Sequence, residues 1–266
     1  MQKKAAIIQD ISCFGKCSAG VALPIVSHFG IECALLPTAL LSAHTGFKHY
    51  HCSDLTEMME TTVDDWKKEG LSFDGIYSGY MLGDRQIEIV SSFIDDFKTD
   101  GTFILVDPVM GDDGKAYAML GESYSAKMKT LISRADVITP NLTEAFLLLQ
   151  RKPDLNGYTR ESITEMLTEL RKLGCKTPMI TGISFEKDKI GVAFLDGDEF
   201  RYISGKKHSG KYCGTGDTFA SIVFSAMLCG KTIYEATQKA LSAIDTAISN
   251  DSKWYGITFE SALSEL

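Results

Sequence analysis

The sequence lacks both an excess of positive charge and long hydrophobic runs. Its 266 residues include 27 Lys and Arg against 35 Asp and Glu, which gives a formal net charge of −8. Binding to a nucleic-acid backbone depends on an excess of basic side chains, so a general nucleic-acid partner is disfavoured. The apolar run at 5–8 is too short for the hydrophobic part of a signal peptide, and no stretch is long enough to span a bilayer. We expect a cytoplasmic protein without a nucleic-acid or membrane partner.

Closely spaced cysteines are also missing. The chain has seven cysteines, an odd number, and they are scattered without any C-x-x-C pair. Metal sites and disulfide frameworks depend on closer and more regular spacing. We interpret the cysteines as reduced thiols, as is typical of cytoplasmic proteins.

Two common nucleotide-binding motifs do not occur. The segment Gly15-Lys16-Cys17-Ser18 lacks the earlier glycine of a P-loop, and no G-x-G-x-x-G follows the first apolar run. The second absence disfavours a dinucleotide-binding protein. Any phosphate site in this chain therefore has to be built differently.

Short apolar runs alternate with longer amphipathic segments along the chain. The runs predicted to be strands are 5–8, 33–36, 75–78, 103–106, 137–139, 179–181, 190–195 and 200–203. The segments predicted to be helices are 18–29, 55–69, 84–98, 122–133, 144–150, 161–173, 217–228 and 233–249. This alternation predicts an α/β protein of three layers, in which helices cover both faces of a mostly parallel sheet.

The last two predicted strands are separated by the turn sequence Asp196-Gly197-Asp198-Glu199. Such a sequence is typical of a hairpin, so the sheet should have an antiparallel edge. No long linker, repeat or low-complexity tract divides the chain, and we expect residues 1–266 to form a single domain.

The segment Gly214-Thr215-Gly216-Asp217 carries the clearest chemical signal. Two glycines precede a predicted helix, so backbone N–H groups can converge there next to the positive end of the helix dipole. Such a pocket can stabilise a phosphoryl group in transfer, and Asp217 could accept a proton from an attacking hydroxyl. A tight turn with Asp217 as an ordinary helix cap would explain the same residues. The basic loop 205–211 just before it is either solvated or closes over phosphates.

Acidic and amide side chains follow two other predicted strands. Asp107 and Asp112 come after 103–106, and Asn141 and Glu144 come after 137–139. Ligands of open parallel sheets bind at the carboxyl ends of strands, and carboxylates there suit Mg²⁺ bound with nucleotide phosphates. A turn and a helix cap are the alternative interpretations of these two groups.

Taken together and in order, these residues resemble the pyridoxal kinases of the ribokinase-like superfamily. The matching segments run through most of the chain and are Ser42-Ala43-His44-Thr45-Gly46-Phe47, Ser78-Gly79-Tyr80, Asp107-Pro108-Val109-Met110-Gly111-Asp112, Thr139-Pro140-Asn141 with Glu144, and Gly214-Thr215-Gly216-Asp217. The resemblance implies a ribokinase-like fold and commonly a homodimer. It also implies ATP-dependent phosphorylation of the 5′-hydroxymethyl group of a vitamin B6 compound, with Mg²⁺ and a monovalent cation, K⁺ or Na⁺.

The resemblance also implies a role for each matching residue. Asp217 is similar to the catalytic base, and Gly214, Thr215 and Gly216 are similar to the anion hole. The positions that resemble the nucleotide and metal groups are Asp107, Asp112, Thr139, Asn141, Glu144, Thr181 and Gly182, with Asp107, Asp112, Thr139 and Glu144 on the metal side. The positions that resemble the contacts to the vitamin ring are Asp10, Thr45, Tyr80 and Cys213.

Asp10 departs from the family pattern, in which many members have a serine that hydrogen-bonds the pyridine ring. A carboxylate accepts hydrogen bonds rather than donating them. We hypothesise that Asp10 favours a protonated ring nitrogen or an amine, and so shifts preference towards pyridoxamine or pyridoxine.

Three other functions fit parts of the sequence. A hydroxymethylpyrimidine kinase of thiamin synthesis would share the fold and the chemistry. A non-catalytic vitamer-binding protein would not need a base beside an anion pocket. A sugar kinase would leave the motifs at Thr45 and Tyr80 without a purpose.

Overall fold

The computed structural model describes residues 2–118, 120–121, 123–250 and 252–266. Its strands are β1 (Lys4–Ser12), β2 (Glu32–Leu41), β3 (Cys52–Asp54), β4 (Gly75–Ser78), β5 (Phe103–Val106), β6 (Gly111–Asp112), β7 (Lys115–Ala116), β8 (Val137–Ile138), β9 (Thr177–Ile183), β10 (Lys189–Asp196) and β11 (Glu199–Lys206). Its helices are α1 (Ala19–His28), α2 (Thr56–Lys68), α3 (Asp84–Phe97), α4 (Tyr124–Ile132), α5 (Leu142–Leu148), α6 (Arg160–Lys172), α7 (Thr215–Leu228) and α8 (Ile233–Ser249), followed by a 3-10 helix at Phe259–Glu265.

Within the described residues, nine strands form one sheet in the order β11-β10-β9-β8-β5-β4-β1-β2-β3. The six central strands, from β9 to β2, are parallel to one another. The hairpin of β10 and β11 forms one antiparallel edge, as predicted from its turn. At the other edge, the short β3 pairs antiparallel with β2, which the sequence did not predict. The mostly parallel α/β sheet is therefore confirmed, but both of its edges are antiparallel.

Alternating residues of the central strands face two separate hydrophobic layers. Along β1, Ala6 and Ile8 are buried in a cluster with α2 to α6, whereas Ala5 and Ile7 are buried in a cluster with α1, α7 and α8. Since side chains of a strand point to opposite faces in turn, this pattern confirms the three layers.

One predicted helix begins at a residue that the structure does not describe. The helix predicted for 122–133 is α4, and Glu122 itself lies outside the described residues. In the part of the chain that the structure describes, no helix is both long and apolar enough to cross a membrane.

Candidate active site

The carboxyl ends of the parallel strands lie along one edge of the sheet, and the predicted site residues lie at these ends. Asp10 is in the last part of β1, Tyr80 follows β4, and Asp107 follows β5. Thr139 follows β8, and Thr181 lies within β9. Sequence positions more than 170 residues apart are thereby brought to one region, as expected for a parallel sheet.

The glycine segment before α7 forms a turn that leaves backbone N–H groups exposed at the start of the helix. Gly214 has φ 82° and caps α7 without a side chain. A Cβ atom at this position would also overlap the carbonyl oxygen of Lys16, so the turn requires glycine. The helix begins at Thr215, two residues before the predicted start, and therefore Thr215 and Gly216 belong to its first turn. The first N–H groups of a helix have no partner within it and can bind an anion.

Asp217 is the third residue of α7 and not its cap, which excludes the alternative interpretation as an ordinary N-cap. Burial raises the pKa of its carboxyl from 3.8 to about 6. The backbone N–H of Ser18 lowers this pKa, and the charge of Asp10 raises it. A carboxyl with this pKa is ionised at neutral pH and can still accept a proton.

Asp107 lies at the centre of the site and is 7% exposed. Its Oδ1 accepts a hydrogen bond of 3.1 Å from the hydroxyl of Thr139. Burial and, next, the negative charge of Asp217 raise the pKa of Asp107 to about 7, while Thr139 lowers it. Asp107 and Asp217 thus approach each other closely enough to interact as like charges.

Asn141 and Glu144 form a reciprocal cap at the start of α5. The side chain of Asn141 accepts a hydrogen bond of 2.9 Å from the N–H of Glu144, and Oε2 of Glu144 accepts one of 2.8 Å from the N–H of Asn141. The other oxygen of Glu144 accepts a hydrogen bond of 3.0 Å from the N–H of Met110. Burial and then the charge of Asp107 raise the pKa of Glu144, despite these donors. The capping interpretation is therefore correct, and the same residue also faces Asp107.

Two predicted nucleotide residues lie on the neighbouring strand. Thr181 pairs with Asn141 in a parallel bridge, and its N–H donates to Pro140 at 2.9 Å. Gly182 follows it with φ 76° and is exposed. Asp112 lies in the small β6–β7 hairpin, where its exposed carboxylate accepts a hydrogen bond from the N–H of Asp113. Asp107 and Glu144, by contrast, are buried.

The predicted substrate side contains a buried carboxyl with an unused oxygen. Asp10 is 4% exposed, and its Oδ1 has no hydrogen-bond partner among the described residues. Its other oxygen is 3.5 Å from the hydroxyl of Ser12. Burial raises the pKa of Asp10, and the Ser18 and Ser12 hydroxyls lower it. An unpaired acceptor in such a place is typical of a site that receives a donor from a ligand.

Tyr80 lies near this carboxyl, and Cys213 directly precedes the glycine turn. Burial, followed by the charges of the neighbouring Cys52 and Asp10, raises the pKa of Tyr80 to about 12. Thr45 is exposed and precedes Gly46 in the chain. A Cβ atom at Gly46 would lie 4.0 Å from the sulfur of Cys213. The N-terminal third of the chain and the start of α7 therefore face one another.

Sequence reasoning missed several residues of this region. Ser18 and Cys17 lie beside Asp217, and Lys211 forms an ion pair with Asp113 across the site. The C-terminal segment also reaches it, since the carbonyl of Tyr255 accepts hydrogen bonds from the N–H of Lys16 at 3.0 Å and from Nε2 of His44 at 3.2 Å. Lys211 belongs to the basic loop 205–211, and His44 belongs to the segment 42–47 that resembles a family motif. No sequence motif marks Cys17, Ser18 or Tyr255.

Comparison with known proteins agrees with this architecture. The family model for phosphomethylpyrimidine kinase matches residues 27–258. A Bacteroides thetaiotaomicron protein provisionally described as a phosphomethylpyrimidine kinase, in a crystal form with pyridoxal, is 35% identical with a TM-score of 0.95; the match covers 100% of this chain and 96% of that one. The pyridoxal kinase of Lactobacillus plantarum is 26% identical with a TM-score of 0.92, over 100% of this chain and 96% of that one.

A third relative is the thiamine biosynthetic bifunctional enzyme TH1 of Arabidopsis thaliana, which is 26% identical over 85% of this chain. The match spans only 42% of that enzyme. The chain therefore belongs to the phosphomethylpyrimidine kinase family, and its structural relatives are the pyridoxal and phosphomethylpyrimidine kinases of the ribokinase-like superfamily.

Proposed function

We propose that this kinase transfers the terminal phosphoryl group of ATP to the 5′-hydroxymethyl group of pyridoxal, pyridoxamine or pyridoxine. The observation that carries the proposal is that Asp217, in the first turn of α7 beside Gly214 and Gly216, lies near enough to Asp10 for the charge of Asp10 to raise its pKa. The first supplies a base and an anion hole, and the second supplies an acceptor for a heterocyclic ring. The structural likeness to a protein crystallised with pyridoxal supports the choice of a vitamin B6 compound.

Each group of site residues has its own role in the proposed phosphoryl transfer. Asp10, Thr45, Tyr80 and Cys213 bind the ring and direct its hydroxymethyl group at Asp217. The hydroxyl oxygen then forms a bond to the γ-phosphorus, the bond to the bridging oxygen of ADP breaks, and Asp217 takes the hydroxyl proton. The N–H groups of Gly214, Thr215 and Gly216 stabilise the charge on the transferring group. ATP approaches from Asn141, Thr181 and Gly182.

The residues on the nucleotide side fit a magnesium ion. Asp107 and Glu144 are buried carboxyls. Burial raises both pKa values, and the charge of Asp217 adds to the rise at Asp107 while the charge of Asp107 adds to it at Glu144, so a cation there would offset unfavourable negative charge. Across the described ranges, no three His, Cys, Asp or Glu side chains form a metal cage by themselves. Mg²⁺ commonly uses one or two carboxylates together with nucleotide phosphates and water. When bound, it would neutralise phosphate charge, with Asp107, Glu144, Thr139 and Asp112 as the candidate residues.

Several other expectations stay predictions. A monovalent cation, K⁺ or Na⁺, is expected near Thr139 from the family resemblance. A homodimer is expected on the same grounds. A cytoplasmic location is expected because the cysteines are interpreted as reduced thiols.

Phosphorylation of hydroxymethylpyrimidine or its phosphate is the second candidate. It is favoured by the family model and by the likeness to a thiamine biosynthetic enzyme. Both substrates are aromatic heterocycles with a hydroxymethyl group, so the same base and anion hole serve either one.

One coupled assay separates the candidates. ADP formation is measured with ATP and Mg²⁺ in the presence of pyridoxal, pyridoxamine, pyridoxine, hydroxymethylpyrimidine or its phosphate. We expect the highest kcat/KM with a vitamin B6 compound. Turnover of the pyrimidines alone would replace the proposal by the second candidate, and vitamer binding without turnover would indicate a non-catalytic binding protein.

A further inference from the structure

The imidazole ring of His44 is bonded to the backbone through both of its nitrogens, and the residue is 5% exposed. The N–H of Gly46 donates to Nδ1 at 3.0 Å, so Nδ1 is an unprotonated acceptor. The proton of the neutral ring is then on Nε2, which donates to the carbonyl of Tyr255 at 3.2 Å. The two backbone partners therefore fix the tautomer and the orientation of the ring.

Two glycines allow the backbone to approach this ring closely. A Cβ atom at Gly15 would overlap Cδ2 of His44, and a Cβ atom at Gly46 would lie 2.7 Å from Cε1. Gly15 also has φ 100°, a conformation that favours glycine. The ring of His44 is therefore enclosed by the loop after β1 and by its own turn.

The backbone of His44 joins the same segments. Its N–H donates to the carbonyl of Phe14 at 3.1 Å, and its carbonyl accepts a hydrogen bond of 3.0 Å from the N–H of Phe47. Together with the ring bonds, these contacts join the loop after β1, the 44–47 turn and the C-terminal segment at Tyr255. His44 is thus the residue at which three distant parts of the chain meet.

Aromatic rings pack around this junction. The ring centroid of Phe47 lies 4.7 Å from that of His44 and 4.6 Å from that of Trp254, and Phe14 lies 5.5 Å from Phe47. Aromatic pairs at such distances stabilise the contact between the segments that carry them. The segments therefore also hold together by packing, and a variant that loses one ring bond of His44 can still fold.

The C-terminal segment that His44 contacts is bonded in turn to the anion-hole turn. The N–H of Ile257 donates to the carbonyl of Cys213 at 3.2 Å. The carbonyl of Tyr255 accepts a second hydrogen bond, of 3.0 Å, from the N–H of Lys16, and a Cβ atom at Gly214 would overlap the carbonyl oxygen of Lys16. Two printed-chain neighbours of Gly214 in space, 16 and 257, are therefore connected to His44 through Tyr255.

We propose that His44 is a positioning residue for phosphoryl transfer, which holds the anion-hole turn in place relative to the 44–47 turn through the carbonyl of Tyr255. The inference rests on the proposed function insofar as the N–H groups of 214–216 bind the transferring group and Thr45 contacts the ring substrate. Its physical basis is the steep dependence of in-line transfer on geometry, because displacement of a reacting group by about 1 Å can cost about a hundredfold in rate.

Three variants separate the two ring bonds. In His44→Gln the amide nitrogen takes the place of Nε2, so the donor to Tyr255 is kept and the acceptor for Gly46 is lost. In His44→Asn the amide oxygen takes the place of Nδ1, so the acceptor is kept and the donor is lost. His44→Phe keeps an aromatic ring and loses both bonds.

The kinetic constants of the three variants should differ. We expect His44→Asn and His44→Phe to lower kcat by about tenfold or more, because the link to the anion-hole turn is lost. His44→Gln should keep kcat within about threefold of the wild type and raise the KM for the ring substrate by about threefold to tenfold, because only the 44–47 turn is loosened. The KM for ATP should stay unchanged in all three.

Thr102→Val is the matched control. Thr102 is 6% exposed, and its hydroxyl donates to the carbonyl of Phe73 at 2.9 Å. It directly precedes β5, at the end of that strand opposite to Asp107. Loss of this buried bond should lower Tm, as in His44→Asn, and leave kcat and both KM values as in the wild type.

Two outcomes would overturn the proposal. A wild-type kcat in folded His44→Asn would show that the anion-hole turn does not depend on the bond to Tyr255. Equal losses of kcat in His44→Gln and His44→Asn would show that His44 only supports the fold. If the wild type phosphorylates only a pyrimidine, the proposed function fails, but the same variants assayed on that pyrimidine still decide the role of His44.

Discussion

The hydroxyl of Thr139 donates a hydrogen bond of 3.1 Å to Oδ1 of Asp107. The two residues follow the neighbouring parallel strands β8 and β5, so this bond joins two strand ends in the middle of the site. The Thr139 hydroxyl is a single neutral donor to Asp107, a carboxyl whose pKa is raised to about 7, chiefly by burial. The free protein therefore keeps a carboxyl that is unfavourable to ionise at the place where a cation and phosphates are proposed to bind.

The first prediction concerns stability and follows from the pKa of Asp107. Because the pKa in the folded state lies at about 7 and above the ordinary 3.8, the native state holds more protons between these values, and stability falls as pH rises through them. Asp107→Asn removes this ionisation. We expect its Tm to exceed that of the wild type by about 2 to 6 °C at pH 8 and by much less at pH 5, without divalent cations.

Differential scanning fluorimetry at the two pH values measures this effect. Asp198→Asn, at a fully exposed carboxylate in the turn between β10 and β11, is the control and should change Tm at neither pH. An Asp107→Asn protein that is less stable than the wild type at pH 8 would contradict the assigned pKa direction.

The second prediction concerns the base. Asp217→Ala should lower kcat by about two to four decades and leave the KM for ATP nearly unchanged, which is the usual effect of removing a positioned base. Steady-state kinetics with Asp198→Ala as a control would measure it. A kcat close to that of the wild type would remove Asp217 from this role.

The third prediction concerns pH. Asp217 can accept a proton only when ionised, so kcat/KM should fall as pH drops below the pKa of about 6. The charge of Asp10 raises this pKa, and its removal in Asp10→Ser should move the acidic limb to lower pH. The pH profiles of the two enzymes would be compared between pH 5 and 8, and a shift to higher pH would be inconsistent with repulsion between the carboxylates.

The fourth prediction concerns the choice of vitamer. The unpaired Oδ1 of Asp10 accepts a donor from the ligand, whereas a serine could also donate. Asp10→Ser should therefore raise kcat/KM for pyridoxal relative to the kcat/KM values for pyridoxamine and pyridoxine. If the three ratios do not change, Asp10 has no part in this preference.

The fifth prediction concerns ring binding. Tyr80 is partly buried and lies near Asp10. Tyr80→Ala should raise the KM for the ring substrate by about tenfold or more through loss of aromatic contact, with little change in the KM for ATP. An effect confined to the KM for ATP would argue against this placement.

Local patterns were sufficient for elements whose ends are set by their own residues. β4, β5 and α8 coincide with the predicted segments 75–78, 103–106 and 233–249. Two local signals mark α8: the reciprocal cap between Thr232, just before the helix, and Glu235 in its first turn, and an amphipathic pattern along the helix.

Elements that depend on distant partners were predicted less well. β1 runs on through Asp10 to Ser12 because β2 pairs with it there, although the side chains are polar. β3 and the β6–β7 hairpin were missed because they consist of two or three residues each, and their partners are chosen in three dimensions. α7 starts early because Gly214 takes a left-handed conformation against Lys16.

The amino-acid sequence by itself determined the α/β class, the antiparallel hairpin and the set of acids and glycines at strand ends, because periodicity and turn chemistry are local. Only the tertiary structure decided that the charges of Asp10 and Asp217 interact, that Glu144 both caps a helix and faces Asp107, and that the carbonyl of Tyr255 accepts a hydrogen bond from Lys16. The physical reason is that burial, charge repulsion and the sharing of a donor depend on how close two groups lie in space, and no spacing along the chain records that distance.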